Sequence, residues 1–196
     1  MSNFLEIARQ NQKRAYEVIE ESEIVKLWES IGAKVNLIGS LKTGLLMKHK
    51  DIDFHIYTPE LKIADDFKIM TQLAEHPAIS QIQYINLIDT EEACIEWHAW
   101  YKDVDGDVWQ IDMIHILEGS RYDGFFENMT ERVNREATEE QKETILKLKY
   151  ETPDDEKVIG VEYYQAVLRD GIKTYADFME WRKANPLDAI VENVFE

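Results

Sequence analysis

Between Val35 and Tyr57 the chain runs from an apolar segment, Val35 to Ile38, into Gly39-Ser40, then through ten residues to Asp51-Ile52-Asp53. No other stretch limits its possible folds so strongly. In an extended segment successive side chains alternate faces, so Asp51, Asp53 and His55 project to one side while Ile52, Phe54 and Ile56 project to the other. Two carboxylates thus stand side by side above an apolar underside. Such a pair repels itself unless a hard cation bridges it, and magnesium, held by one or two carboxylates together with substrate phosphates, meets that need. A lone Asp-x-Asp is more simply explained as an amphipathic strand with a solvated acidic face.

The turn upstream changes that balance. Gly39 and Gly44 can take up backbone conformations closed to other residues and let the main chain approach a ligand, and the Ser40 hydroxyl suits a phosphate oxygen. Lys42, Lys48 and Lys50 bring positive charge to the same loop. Gly-Ser alone would be an ordinary strand-to-helix turn with solvated lysines; turn, spacing and carboxylate pair together are far less often coincidental.

Gly39, Ser40, Gly44, Asp51 and Asp53 together resemble the signature of the DNA polymerase beta-type nucleotidyltransferase superfamily: Gly-Ser, a further glycine four residues after the serine, and Asp-x-Asp opening the next strand. The resemblance covers about twenty of the 196 residues. It departs at Leu45-Leu46-Met47, which is more apolar than such loops usually are, and at Lys50, where a small or polar residue often precedes the first aspartate.

That resemblance implies a third carboxylate on a later strand. Cys94 to Lys102 and Asp107 to Leu117 read as two strands joined through Asp105-Gly106, a strong hairpin signal. The second contains Ile111-Asp112-Met113-Ile114, an acid in an apolar run, and an unpaired buried carboxylate is costly enough that Asp112 should have a cation, a proton or a hydrogen-bond partner. Asp112 is the candidate third metal ligand or general base. Asp103-Val104-Asp105-Gly106-Asp107 is no calcium loop, because its glycine is fourth rather than sixth; a solvated hairpin turn explains it better. The histidines at 49, 55, 76, 98 and 115 lack zinc-type pairing, and the single Cys94 cannot build a thiolate site. Glu96 and His98 share a strand face and are candidates for acceptor contacts.

Charge bears on the partner. A net charge of −17 opposes a polyanion, since nucleic-acid binding draws on lysine and arginine neutralising phosphates. Residues 1–50 carry 8 basic and 6 acidic side chains, whereas residues 51–196 carry 14 and 33. The Gly-Ser loop therefore lies in a mildly basic region, as a triphosphate prefers, and the remainder would attract a cation. Solubility alone would also account for the acidic surface. No segment approaches the apolar length of a membrane span, Met1 to Val18 lacks a signal-like apolar run, and one cysteine suits a reducing compartment, so the expected location is the cytoplasm.

The rest of the chain reads as a first helix opened by Asn3 with Glu6, and a second opened by Ser22 and ended by Gly32. A strand over 35–38, the loop, a strand over 51–57, a helix over 64–75 and a strand over 79–88 come next, before the hairpin. This order builds an α+β fold, a mixed sheet with helices packed on it. Beyond about Gly119 come helices near 122–135, 138–150, 158–169 and 174–184, the last capped by Thr174 with Asp177. We therefore expect a catalytic core over 1–119 and a C-terminal helical region over 120–196 that binds the acceptor. Tyr163, Tyr164, Tyr175, Phe178 and Trp181 cluster there and either form core or wall an acceptor pocket.

The resemblance implies transfer of a nucleoside monophosphate from a nucleoside triphosphate, with ATP as the reference donor, to an acceptor hydroxyl. Asp51, Asp53 and Asp112 would hold two Mg2+ or Mn2+ ions. Gly39, Ser40 and Gly44 with Lys42 or Lys50 would bind the nucleotide. The acceptor would be a small, cationic molecule such as an aminoglycoside. Alternatives are an antitoxin-like enzyme that modifies a protein, and a non-catalytic module that keeps the fold.

Overall fold

The computed structural model describes residues 3–186. A five-stranded mixed sheet has the order β1-β2-β5-β4-β3, with β1 at Lys34–Ile38, β2 at Asp51–Tyr57, β3 at Ile79–Asn86, β4 at Cys94–Lys102 and β5 at Val108–Ile116. β2 and β5 are parallel; the other neighbours are antiparallel. Eight α-helices accompany it among the described residues: α1 (Asn3–Ser22), α2 (Ile24–Glu29), α3 (Gly39–Thr43), α4 (Ile63–Ala74), α5 (Phe125–Glu136), α6 (Glu139–Glu151), α7 (Gly160–Tyr164) and α8 (Tyr175–Ala184). The fold is a nucleotidyltransferase-like α+β fold, as expected. None of these helices is long and apolar enough to cross a membrane.

Alternation along the strands sorts the two faces. Ile52, Phe54, Ile56, Ile95, Trp97, Ala99, Ile111 and Met113 are buried in one cluster with Ala15 and Val18 of α1, Trp28 of α2 and Ile69 and Leu73 of α4. A second cluster joins Ala8, at the other end of α1, to Val133, Ile145, Leu148, Tyr163, Tyr164, Phe178 and Trp181 of the C-terminal helices. Helix α1 thus spans both cores, so its first turns pack with the region assigned to 120–196. The apolar Leu45-Leu46-Met47 segment has the same origin: Leu46 is buried in the first cluster, and Leu45 and Met47 in the second. Buried backbone there is held by α1, where Gln12 Nε2 donates to Gly44 O at 2.7 Å and Asn11 Nδ2 donates to Met47 O.

Several expected boundaries differ for local reasons. Ser22 does not open α2: its hydroxyl donates back to Ile19 O at 3.2 Å, closing α1, and Glu23 makes the break with φ 53°. The Asn3 side chain, expected as a cap, lies outside the described residues. The 158–169 helix is divided, α7 passing into a π-helical turn over Gln165–Arg169. Thr174 does cap α8, accepting from Asp177 N at 3.2 Å. The 103–107 hairpin has Gly106 at φ 88°, but Asp103 is buried rather than solvated, accepting from Asp105 N and Asp107 N at 3.0 Å and from Trp109 Nε1 at 3.2 Å.

Candidate active site

The polar face of the sheet looks into a cavity of about 860 Å³ that is also lined by residues of α5, α6, α7 and the 154–161 segment. Asp51, Asp53 and Asp112 all line it. Parallel pairing sets Asp53 directly against Asp112, although 58 residues lie between them in the chain, and His98 of β4 stands opposite Asp112 on the other side. Four residues from three adjacent strands are therefore neighbours on one face.

Their electrostatics are uneven. Burial, with the charges of Asp112 and Asp51 added, pushes the Asp53 carboxyl up to about 7, and burial with Asp112 also raises Asp51. Lys149 opposes both shifts, and His49 opposes that of Asp51. Asp112 has the partners its apolar run demanded: Oδ1 meets His98 Nδ1 at 2.6 Å, and Gln110 Nε2 donates to Oδ1 and Oδ2 at 2.9 and 3.1 Å. The Asp112 hydrogen bond, with that of Glu96, raises His98 to about 9. His98 is an imidazolium at neutral pH and balances the carboxylate beside it. Among the described residues no three acidic, imidazole or thiolate groups converge into a ready-made metal cage. Magnesium does not require one when substrate phosphates complete its shell.

The Gly-Ser turn sits directly against this pair. Gly39 has φ 69°, and a Cβ there would meet Asp53 Oδ2 at 2.2 Å, so only glycine lets β1 turn into α3 beside the carboxylate. Gly44, φ 75°, ends α3 and does not line the cavity. Ser40 lines it, and its Oγ accepts from Lys149 Nζ at 2.8 Å; the same ammonium donates to Leu45 O at 3.0 Å. Lys149 belongs to α6, and its sequence surroundings did not single it out.

Two lysines expected at the nucleotide do not line this cavity. Lys42 is exposed on the outer side of α3, and Lys50 pairs with Asp107 and lies 5.7 Å from the Trp109 ring centre; neither lines the cavity. The basic residues that do are Lys48, His49, His55, His98, Lys149 and Lys157. Of the aromatic group, Tyr163 and Tyr164 face the cavity, whereas Phe178 and Trp181 stack in the second core, with Tyr163 and Phe178 ring centres 4.8 Å apart.

Helix α5 is fastened over the turn at three levels. Asn36 Nδ2 donates to Glu127 Oε1 at 3.1 Å, Gly39 N to Thr130 Oγ1 at 3.4 Å, and Asn134 Nδ2 to Lys42 O at 3.2 Å. Glu127 also meets His55 Nδ1 at 3.0 Å and accepts from Tyr57 Oη at 2.9 Å. Burial opposes its charge, but the His55 and Asn36 hydrogen bonds prevail and hold Glu127 down at about 2. A folded value below the unfolded one stabilises the protein at pH above about 4.5 and is lost as pH falls toward 2. Glu127→Gln is expected to lower stability at pH 7 by about 1–3 kcal/mol, and urea denaturation across pH should show the gap from wild type closing in acid.

No family model and no curated protein sequence matches the chain. Solved structures do resemble it. The Cid1 poly(U) polymerase bound to MgATP matches with TM-score 0.55 and 14% identity over 80% of this chain and 54% of that one. A cytoplasmic RNA terminal U-transferase matches with TM-score 0.52 and 13% identity over 84% and 53%. The polymerase core of TRAMP, an RNA surveillance complex, matches with TM-score 0.53 and 12% identity over 88% and 59%. The chain spans little more than half the length of these structures. The likeness is one of fold.

Proposed function

We propose that this chain is a metal-dependent nucleotidyltransferase that moves a nucleoside monophosphate from a nucleoside triphosphate to an acceptor hydroxyl. The observation that carries the reading is Asp53 set against Asp112 on paired parallel strands, with the Gly39-Ser40 turn packed on Asp53 and Lys149 bonded to Ser40. Asp51, Asp53 and Asp112 form the all-oxygen donor set that Mg2+ or Mn2+ prefers, and such a cation would offset the burial and the repulsion that together raise Asp53. Bound there, divalent ions supply Lewis-acid stabilisation of charge on the transferring phosphoryl group.

The chain's own groups do the rest. Ser40 and Lys149 hold the terminal phosphates, Lys149 taking the part that sequence reasoning assigned to Lys42 or Lys50. Asp112, oriented by His98 and Gln110, accepts the acceptor proton as the acceptor oxygen bonds to the α-phosphorus. The bond from the α-phosphorus to the oxygen bridging to the β-phosphate breaks, and pyrophosphate departs with that electron pair.

For the acceptor, a small amino-bearing molecule of the aminoglycoside kind suits the chain's charge of −17 and the carboxylates of Glu92 and Glu96 on the cavity wall. A second reading, transfer to RNA, draws on the structural neighbours, a poly(U) polymerase and an RNA terminal U-transferase. Incubation with labelled nucleoside triphosphates and Mg2+ separates these. Label is expected on an amino-bearing small molecule. An extended RNA would select the second reading, and a labelled protein the antitoxin-like one. Absence of Mg2+-dependent triphosphate binding by calorimetry would reject catalysis altogether.

A further inference from the structure

The cavity changes character along its length. Strand register lays its floor in rows: Asp53, Asp112 and His98 form one, His55, Ile114 and Glu96 the next, and Ile116 with Cys94 the row after that. The Ser40 turn and Lys149 lie at the aspartate end. Beyond Asp112 the otherwise polar face of the sheet turns apolar. Cys94 and Ile116 are buried, with Ile114 packed against them, in a small cluster separate from both main cores. Tyr122, Phe126 and Met129, from α5 and the turn before it, line the same cavity, and the Phe126 ring stands edge-on to His55 with centres 5.5 Å apart. Two acids accompany this apolar floor. Glu96 stands opposite Ile114, Glu92 precedes Cys94 by two residues, and both line the cavity. Glu96 meets His98 Nε2 through Oε2 at 3.3 Å, and because a carboxylate accepts at both oxygens it can take a further donor.

We propose that this end of the cavity binds an amphipathic amino alcohol, with an apolar ring against Ile114, Ile116 and Phe126 and an ammonium at Glu92 and Glu96. Placing its hydroxyl at Asp112 rests on the nucleotidyltransferase reading, in which this molecule is the acceptor. Strand spacing sets its size: the ammonium lies about 7 Å from Asp112, and the apolar body reaches out to about 13 Å. Within the amino-bearing class this selects against a sugar hydroxylated on every side. Hydroxyls laid on Ile114 and Ile116 would lose water without gaining a hydrogen bond. An RNA end is disfavoured too, since it would bring phosphates to Glu92 and Glu96.

Calorimetric titration of the 196-residue chain without nucleotide tests the site. Tryptophanol carries hydroxyl, amine and ring; indole-3-propanol lacks the amine, serinol lacks the ring, and kanamycin is polar throughout. Tryptophanol is expected to bind about tenfold or more tightly than each of the others. Glu92 and Glu96 are both partly exposed, so Glu92→Gln and Glu96→Gln should fold normally by circular dichroism. Together they should weaken tryptophanol about tenfold and leave indole-3-propanol unmoved, whereas Phe126→Ala should weaken both. Serinol, kanamycin or an oligouridylate binding as tightly as tryptophanol overturns the proposal. So does the absence of tryptophanol binding, or an affinity that the glutamine substitutions leave unchanged. Titration with Mg2+ and ATP is read separately: a chain that binds tryptophanol but no Mg2+–ATP rejects the nucleotidyltransferase reading and leaves the amine site standing.

Discussion

Asp53→Asn is expected to reduce nucleotide transfer by about 10³-fold or more while leaving the protein folded, since a carboxylate that positions a catalytic cation is worth several kcal/mol in the transition state. Asp51→Asn should behave in the same way. The accompanying stability change has a definite sign. Asp53 is raised from 3.8 to about 7 in the folded protein, so the folded state binds its proton more tightly than the unfolded chain does. Stability from this group is full below about 3.8 and is lost as pH rises through about 7. Wild-type protein without metal should therefore lose thermal stability across that window, whereas Asp53→Asn, neutral throughout, should flatten the profile and melt higher at pH 8. Mg2+ should raise the wild-type midpoint at pH 8 and leave that of the variant unmoved. Melting curves against pH with and without Mg2+, set beside a transfer assay, check both halves, and retained transfer by either variant would reject the metal-ligand assignment.

The second large effect falls on Lys149. Its ammonium lies 2.8 Å from Ser40 Oγ, and its position 5.7 and 5.6 Å from the Tyr163 and Tyr164 ring centres keeps it over the turn. Lys149→Met preserves the length of the stem and removes the charge. The kcat/KM for the triphosphate should fall about 10²- to 10³-fold, the range found when one preorganised donor is deleted from an electrostatic site. Calorimetry should show the loss in Mg2+-triphosphate affinity as well. Lys42→Met is the informative control, because Lys42 is exposed and outside the cavity, so its kinetics should match wild type. Equal losses from both substitutions would place the phosphates on the outer side of α3 instead.

These two lysines show what a sequence can carry. Lys42 was conspicuous because it follows Gly39-Ser40, yet a helical turn of five residues rotates its side chain outward. Lys149 sits among Lys142 and Lys147 on a helix with no local mark of its role; only the packing of α6 on α1 and on the Leu45 and Met47 segment brings it to Ser40. The partners of Asp112 divide in the same manner. That an acid inside Ile111 to Ile114 must have a partner follows from burial cost alone; Gln110, two residues back on the same strand face, is a local partner, whereas His98 is brought opposite by the register of β4 against β5.

The strands were legible nearly residue by residue, since two-residue alternation and the Asp105-Gly106 turn are local signals that tertiary packing reinforced. The gaps came where two local options competed, as at Ser22, or where a helix changed its hydrogen-bond spacing after Tyr164. By itself the sequence determined the α+β plan, the glycine turn, and an Asp51–Asp53 pair on one face. Tertiary structure alone decided that β2 and β5 lie parallel, with Asp112 beside Asp53 and a distant lysine over the turn. Alternation is a property of a single strand, whereas register between strands far apart in the chain is chosen by the whole core.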